Sequence, residues 1–388
     1  MTTIRTQLPR DLVEEEILSR IPATSLKRLR STCKRWNRLF KRDLRFARNH
    51  SDKSLKEFLV LILTHQFRIC PMKLNLHGVT PSVEVKGELS LTDPHSNNSD
   101  QFDICEVFHC DGFLLCTDMS RLVVWNPITG QTRWIKGCRN ENYSYVLGYC
   151  QDKESCVKRY KLLSYDCDGN NKYKPQIYDF SSDSWRILDH DIIDPGWRIT
   201  PFSLKVSLKG NAYLFAKNEK NCISLLRFDF ATEKSSGHVP LPYQCSRFQT
   251  LNISVVREEK ISVLLQRNRT SKTEVWVTNK IDETKEVLWS KVLALDLSFD
   301  LQISREGRFL IDEEKKVVVC CERWIDPEDN DTVSKDMVYI VGEDNNVIQV
   351  DVGGDSSTIY GCWPLILNYV PSLVQIERAR GNKRRRGD

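Results

Sequence analysis

Two hydrophobic periods divide the chain near residue 55. In the first fifty residues the apolar positions recur at helical spacing. Val13, Ile17, Leu18 and Ile21 fall on one face of a first helix, which Pro22 ends. Leu8-Pro9 supplies an extended lead-in and a sharp start, and Glu14, Glu15 and Glu16 stand early, where the helix macrodipole favours acid. Thr24 or Ser25 is placed to cap a second helix, with Leu26, Leu29 and Cys33 on one side and Arg28, Arg30, Lys34 and Arg35 on the other. A third turn of the same pattern brings Trp36, Leu39 and Phe40.

Beyond residue 55 helical spacing gives way to short apolar runs rich in Val, Ile, Leu, Phe and Tyr, separated by turn residues, which predicts strands. A strand–polar turn–strand element recurs as VFHC-DG-FLLC (107–116), SLKVSL-KGN-AYLFA (203–216), ISVV-REEK-ISVLLQ (253–266) and RFLI-DEEKK-VVVCCE (308–322). A second element, an apolar-aromatic step, a turn and a return strand, recurs five times, with Trp125, Tyr178, Phe228, Trp276 and Tyr339 at the matching position. The separations, roughly 50 residues, hold about four strands, as one propeller blade requires. Such blades bury their faces only against each other, so the aromatics should fill the space between them. Five units are clear; a sixth is expected from residues 55–100, closed by a C-terminal strand, and a pair of β-sandwiches is the competing fold.

Composition narrows the function. No apolar run approaches the roughly 18 residues of a membrane span, and the N-terminus shows no apolar signal region. The 14 cysteines then point to a reducing compartment, and the sequons at Asn142, Asn252 and Asn268 carry no meaning. Cys105, His109, Cys110 and Cys116 are the closest metal-type cluster, but they lie in strand-like runs where free cysteine acts as a small hydrophobe. The net charge of +5 is uneven. Roughly eight excess positive charges lie in residues 1–50 and roughly four in the last dozen, leaving the body mildly acidic. A nucleic-acid-binding domain would concentrate positive charge on its folded surface, so none is expected.

No catalytic constellation stands out: nucleophile-elbow, metalloprotease, P-loop and dinucleotide-binding motifs are all missing. Asp189-His190-Asp191 reads as a polar turn, and Glu258-Glu259 and Glu313-Glu314 as solvated hairpin turns. No cofactor or metal is expected. The basic tail 377–388, with Lys383, Arg384, Arg385 and Arg386, reads as a flexible end and equally as a nuclear import signal.

Three helices of two to three turns bury too little surface to offset their ordering entropy, so the head is expected to need a partner; the competing reading is a helical hairpin docked on its own domain. Leu8-Pro9, Asp11, Glu16-Ile17-Leu18, Ile21-Pro22, Ser25-Leu26, Arg30, Cys33-Lys34 and Trp36 match, at fixed spacing, the pattern of an F-box, which this segment resembles. The resemblance implies docking on a SKP-type adaptor, and through it on a cullin–RING ligase, by Leu8, Pro9, Ile17, Leu18, Ile21, Pro22, Leu26, Leu29 and Trp36. The body, through DGFLLC, VWNP-T-G, LGY (147–149) and YDFSSDSW, is similar to the type 1 F-box-associated domain of plant F-box proteins, which implies a kelch-like propeller. The regular double glycines of kelch repeats are missing; the one Gly-Gly is Gly353-Gly354.

The expectation is therefore a mostly β chain with a small α-helical module: an F-box over 1–50, a propeller-like domain over 51–376 and a tail over 377–388. It would be the non-catalytic substrate receptor of an SCF-type ubiquitin ligase, nuclear or cytoplasmic, binding an unknown protein target. The alternatives are a propeller lectin or peptide reader whose helical head is only a fold element, and a propeller hydrolase or oxidase.

Overall fold

A computed structural model describes residues 8–76, 81–92, 101–118, 120–136, 143–152, 154, 157–166, 174–188, 192–200, 204–243, 248–267, 272–282, 286–296, 308–325, 334–356 and 362–376. Asp189-His190-Asp191, the basic tail, Asn142 and Asn268 lie outside them.

The described strands form six antiparallel sheets, five of four strands and one of five. Blades 2 to 6 follow the chain, with strands inside 106–135, 143–187, 197–240, 248–296 and 309–356. Blade 1 is composite: Leu59–Leu63, Ile69–Asn75 and Ser82–Val85 are joined by Leu365–Tyr369 from the far end of the chain. The sixth unit and its C-terminal closing strand are thus observed, and the sandwich alternative is not. The six inner strands, Leu365–Tyr369, Glu106–Cys110, Tyr143–Gln151, Lys205–Leu208, Phe248–Val256 and Phe309–Asp312, contact one another around a central axis.

The apolar periods explain the ring. Each hydrophobic cluster of the body spans adjacent blades: blades 1 and 2, blades 2 to 4, blades 4 and 5, blades 5 and 6, and blades 6 and 1. Trp125, Tyr178, Phe228, Trp276 and Tyr339 all sit on the third strand of their blades and pack into these clusters. At the closing seam the His65 backbone N–H and ring Nδ1 both bond the buried Asp336 carboxylate, at 2.8 and 2.9 Å, tying blade 1 to blade 6. The glutamates read as solvated turns are partly to largely exposed, and each also pairs with a cation. Glu258 meets Lys56 and Glu259 meets Lys280, while Glu313 and Glu314 meet Lys260 and Arg257 across blades 5 and 6.

A five-residue turn recurs between the third and fourth strands of blades 2, 3 and 4 and between the first and second strands of blade 6. It begins with Asn126, Asp179, Asp229 or Asp312, whose side-chain oxygen accepts the backbone N–H two residues on. It ends in a left-handed residue, Gly130, Asp183, Glu233 or Lys316. Asn126 does more than turn the chain. Its Oδ1 accepts from the N–H groups of Ile128 and Thr129, while its Nδ2 donates to the carbonyls of Ser372 and Val374, both at 2.9 Å. The VWNP motif therefore stitches blade 2 to the C-terminal strap 370–376. Asn126→Ala should lower stability by about 2 kcal/mol, because two buried N–H groups lose their acceptor and two partly buried carbonyls their donor; a denaturation midpoint equal to wild type would contradict this.

Glu233 links blades 3 and 4 through Lys161, at 2.7 Å, and Arg186. Burial raises its carboxyl pKa, but the two cations outweigh burial and hold it below the usual range. A depressed folded-state value adds stability above the unfolded pKa, and that stability is lost as pH falls through the folded one. The melting-temperature gap between wild type and Glu233→Gln should be constant above about pH 5 and close progressively below about pH 4. A gap that widens in acid would refute the assignment.

The head holds four helical segments after the lead-in, one more than its pattern suggested. A wide π-helical stretch Leu12–Ile17 runs into a tight turn Leu18–Arg20, followed by helices Ala23–Leu29, Lys34–Arg42 and Leu44–Lys53. The last begins at Asp43, whose Oδ1 accepts the Phe46 N–H at 2.9 Å. Neither Thr24 nor Ser25 caps the second helix. Glu57, from the linker to the propeller, accepts the Thr24 N–H and hydroxyl instead. Glu14, Glu15 and Glu16 clasp later helices through Arg35, Arg45 and Lys53.

Candidate docking faces

The head has two apolar sides. The inner one gathers Leu18, Ala23, Leu26, Phe40, Phe46 and Ala47 into a cluster completed by two propeller residues, Ile128 of the NPITG turn and Leu373 of the strap. The Arg30 guanidinium reinforces this contact by donating to the Ile128 carbonyl at 2.8 Å. The surface that the short helices could not bury alone is thus partly buried on the chain's own propeller.

This divides the nine residues expected to meet an adaptor. Leu18 and Leu26 are 3% and 0% exposed and belong to the internal core, so neither is presented at the surface. Ile21, Pro22, Leu29 and Trp36 are half-buried. Leu8 and Ile17 stand open at 58% and 44%, and Pro9 is exposed beside them. Leu12, which the periodicity did not select, is 43% exposed. In an α-helix Leu12 and Ile17 would point well apart. The wider π turn closes hydrogen bonds five residues on, which brings positions i and i+5 onto one side. The outer ridge is therefore Leu8, Pro9, Leu12 and Ile17. The π turn was the missing signal, and helical spacing alone does not reveal it.

On the propeller, the two ends of the ring differ. The inner strands finish in hairpin turns beneath the head, where a cavity of about 300 Å³ opens between Asp111, Lys209 and Glu258 below and His50, Lys56 and Phe58 above. Asp111-Gly112 and Lys209-Gly210 are two-residue turns with both φ angles positive, the geometry that suits a tight hairpin. Asp111 accepts from Lys158 at 2.8 Å. Cys110 and Cys116 lie buried in the sheets, and His109 Nε2 accepts the Gly112 N–H at 3.2 Å. Burial pushes both thiols up, as expected of apolar packing residues. Among the described residues no group of three or more His, Cys, Asp or Glu is placed to hold a metal ion.

At the opposite end the second strand of blade 6 finishes and the closing strand of blade 1 starts. There Trp324 and Trp363 are exposed, and the Arg323 guanidinium lies 5.2 Å from the centre of the Trp363 ring. This end faces away from the head. No helix among the described residues is long and apolar enough to cross a membrane.

Known proteins share both parts. Residues 6–48 match the F-box domain and residues 59–376 match the F-box associated beta propeller domain. The chain is 56% identical to the F-box protein ETP2 of Arabidopsis thaliana, covering 99% of this chain and 100% of that protein. It is 51% identical to the F-box protein ETP1 of the same plant, over 97% and 98% of the two chains. A helical head docked on a six-bladed ring, matched over nearly its whole length by such relatives, makes this chain a member of the F-box protein family with an F-box-associated β-propeller.

Proposed function

We propose that the chain is the target-selecting subunit of an SCF-type ubiquitin ligase. The outer ridge of Leu8, Pro9, Leu12 and Ile17, extended by the half-buried Ile21, Pro22, Leu29 and Trp36, docks a SKP-type adaptor that leads to a cullin–RING assembly. The observation that carries this reading is an apolar ridge left open on a head whose other side is already buried on its own propeller. A folded module with its core satisfied has no internal use for four exposed apolar residues in one short stretch.

The target is bound by the propeller end that faces away from the head, where Trp324 and Trp363 are exposed. The chain itself makes and breaks no bond. It raises the effective concentration of a target near a ubiquitin-loaded enzyme, and the head's fixed seat on the ring helps hold that geometry. Full-length protein co-expressed with a SKP-type adaptor should elute with it as a one-to-one complex. Separate elution of two intact, folded partners would overturn the reading.

A further inference from the structure

Arg308 stands immediately before the inner strand of blade 6, is 7% exposed, and makes no hydrogen bond or ion pair to any described protein group; its Nε is fully enclosed. Its guanidinium lines a cavity of about 40 Å³ on the ring axis. Strands of blades 1, 2, 4 and 5 supply the rest of that wall through Phe108, Ser207, Ile253, Ser254 and Asn368, among others. The surrounding charge is not balanced. The nearby ammonium of Lys205, 3% exposed, is held by Glu106 at 2.8 Å and by the Ser144 hydroxyl. Two cations thus share one carboxylate, and Lys205 already holds it. Burial works against the Arg308 charge and the Glu106 carboxylate favours it, with burial the stronger, so its pKa lies below the usual guanidinium value. A guanidinium still has no accessible neutral form near pH 7, so the group cannot escape the burden by shedding its proton.

We propose that the propeller axis binds one small tetrahedral oxyanion, inorganic phosphate or sulfate, with the Arg308 guanidinium as its principal ligand. The planar fork of donors matches such an anion, and the anion neutralises the excess positive charge that Arg308 and Lys205 leave beside Glu106. The cavity exceeds the 10–15 Å³ or so that one water needs, and suits a single small ion. His109 also lines it. Burial lowers the pKa of this ring, outweighing the acids Glu258 and Asp111, which keeps it neutral. Its Nε2 accepts from Gly112, which leaves the proton on Nδ1 as a donor. The cavity adjoins the 300 Å³ opening under the head, with which it shares His109, Ser207, Val255 and Asn368 as lining residues. This site is independent of the adaptor-docking reading.

The test uses full-length protein in phosphate- and sulfate-free buffer, titrated with sodium phosphate, sodium sulfate or sodium chloride at matched ionic strength. Phosphate or sulfate at about 100-fold above its dissociation constant should raise the melting temperature by about 2–5 °C in a saturable way, and chloride should not. Calorimetric titration should give one site per chain. Arg308→Met should abolish the response and, having lost an unpaired buried charge, should melt no lower than wild type in anion-free buffer. Glu106→Gln, which removes the competing carboxylate, should tighten phosphate binding roughly tenfold. An oxyanion response no larger than that to chloride, or one that survives Arg308→Met, overturns the proposal. The wild-type titration decides the matter even if a variant fails to fold.

Discussion

Ile17→Arg should weaken capture of a SKP-type adaptor by at least about 100-fold while leaving the protein folded. The argument rests on where the side chain sits. Ile17 is on the outer ridge, close to Leu12 across the π turn and outside the cluster that seats the head on the propeller. A charge there meets water in the free protein, so thermal stability should move by no more than about 0.5 kcal/mol. In a complex the same guanidinium would be driven into an apolar groove with no partner, and central interface positions of this kind carry more than about 2 kcal/mol each. Leu12→Arg should behave alike. Leu18→Arg should not: that side chain packs with Phe40, Phe46, Ile128 and Leu373, so an arginine there should unfold the head or unseat it. The three variants separate docking from folding, with adaptor affinity measured beside a melting curve. Undiminished adaptor binding by Ile17→Arg would remove this ridge from the interface.

Gly148→Ala should destabilise the propeller by about 3 kcal/mol, at the upper end of what one added methyl does in a packed core. The LGY motif places this glycine on the inner strand of blade 3, where it meets blade 4 without a gap. A Cβ there would lie 2.1 Å from the Phe230 ring and 2.6 Å from the Gly210 carbonyl oxygen. The ring is fully buried and set edge-on against Phe228 at 5.0 Å, so it has little room to swing aside. The carbonyl has none, because it accepts the Tyr149 N–H at 3.1 Å and so fixes the distance between the two blades. Adding Phe230→Leu to Gly148→Ala should recover part of the loss by relieving the ring clash, leaving the carbonyl clash in place. Chemical denaturation of the single and double variants checks this. A single variant within about 0.5 kcal/mol of wild type would mean that the two blades do not approach as described.

The chain's division into helical head and β body was legible in the sequence, because hydrophobic spacing is a local property: 3.6 residues on one side of residue 55 and 2 on the other. The blade repeat was legible for the same reason. Trp125, Tyr178, Phe228, Trp276 and Tyr339 keep a constant phase, and the structure puts all five on third strands between blades. The F-box pattern likewise named the region where the open ridge lies. Spacing could not say which apolar residues of the head point outward. Leu18 and Leu26 were assigned with Ile17 to one face, yet Ile128 and Leu373, more than a hundred residues away, complete the core that takes them in. Leu12 was passed over because the π turn that aligns it with Ile17 leaves no mark in the spacing. The capping of Thr24 by Glu57, the hold of Asn126 on the strap and the isolation of Arg308 on the axis share one cause. Each depends on segments distant in the chain meeting in space, and local periodicity carries no information about which distant residue will supply a partner, or fail to.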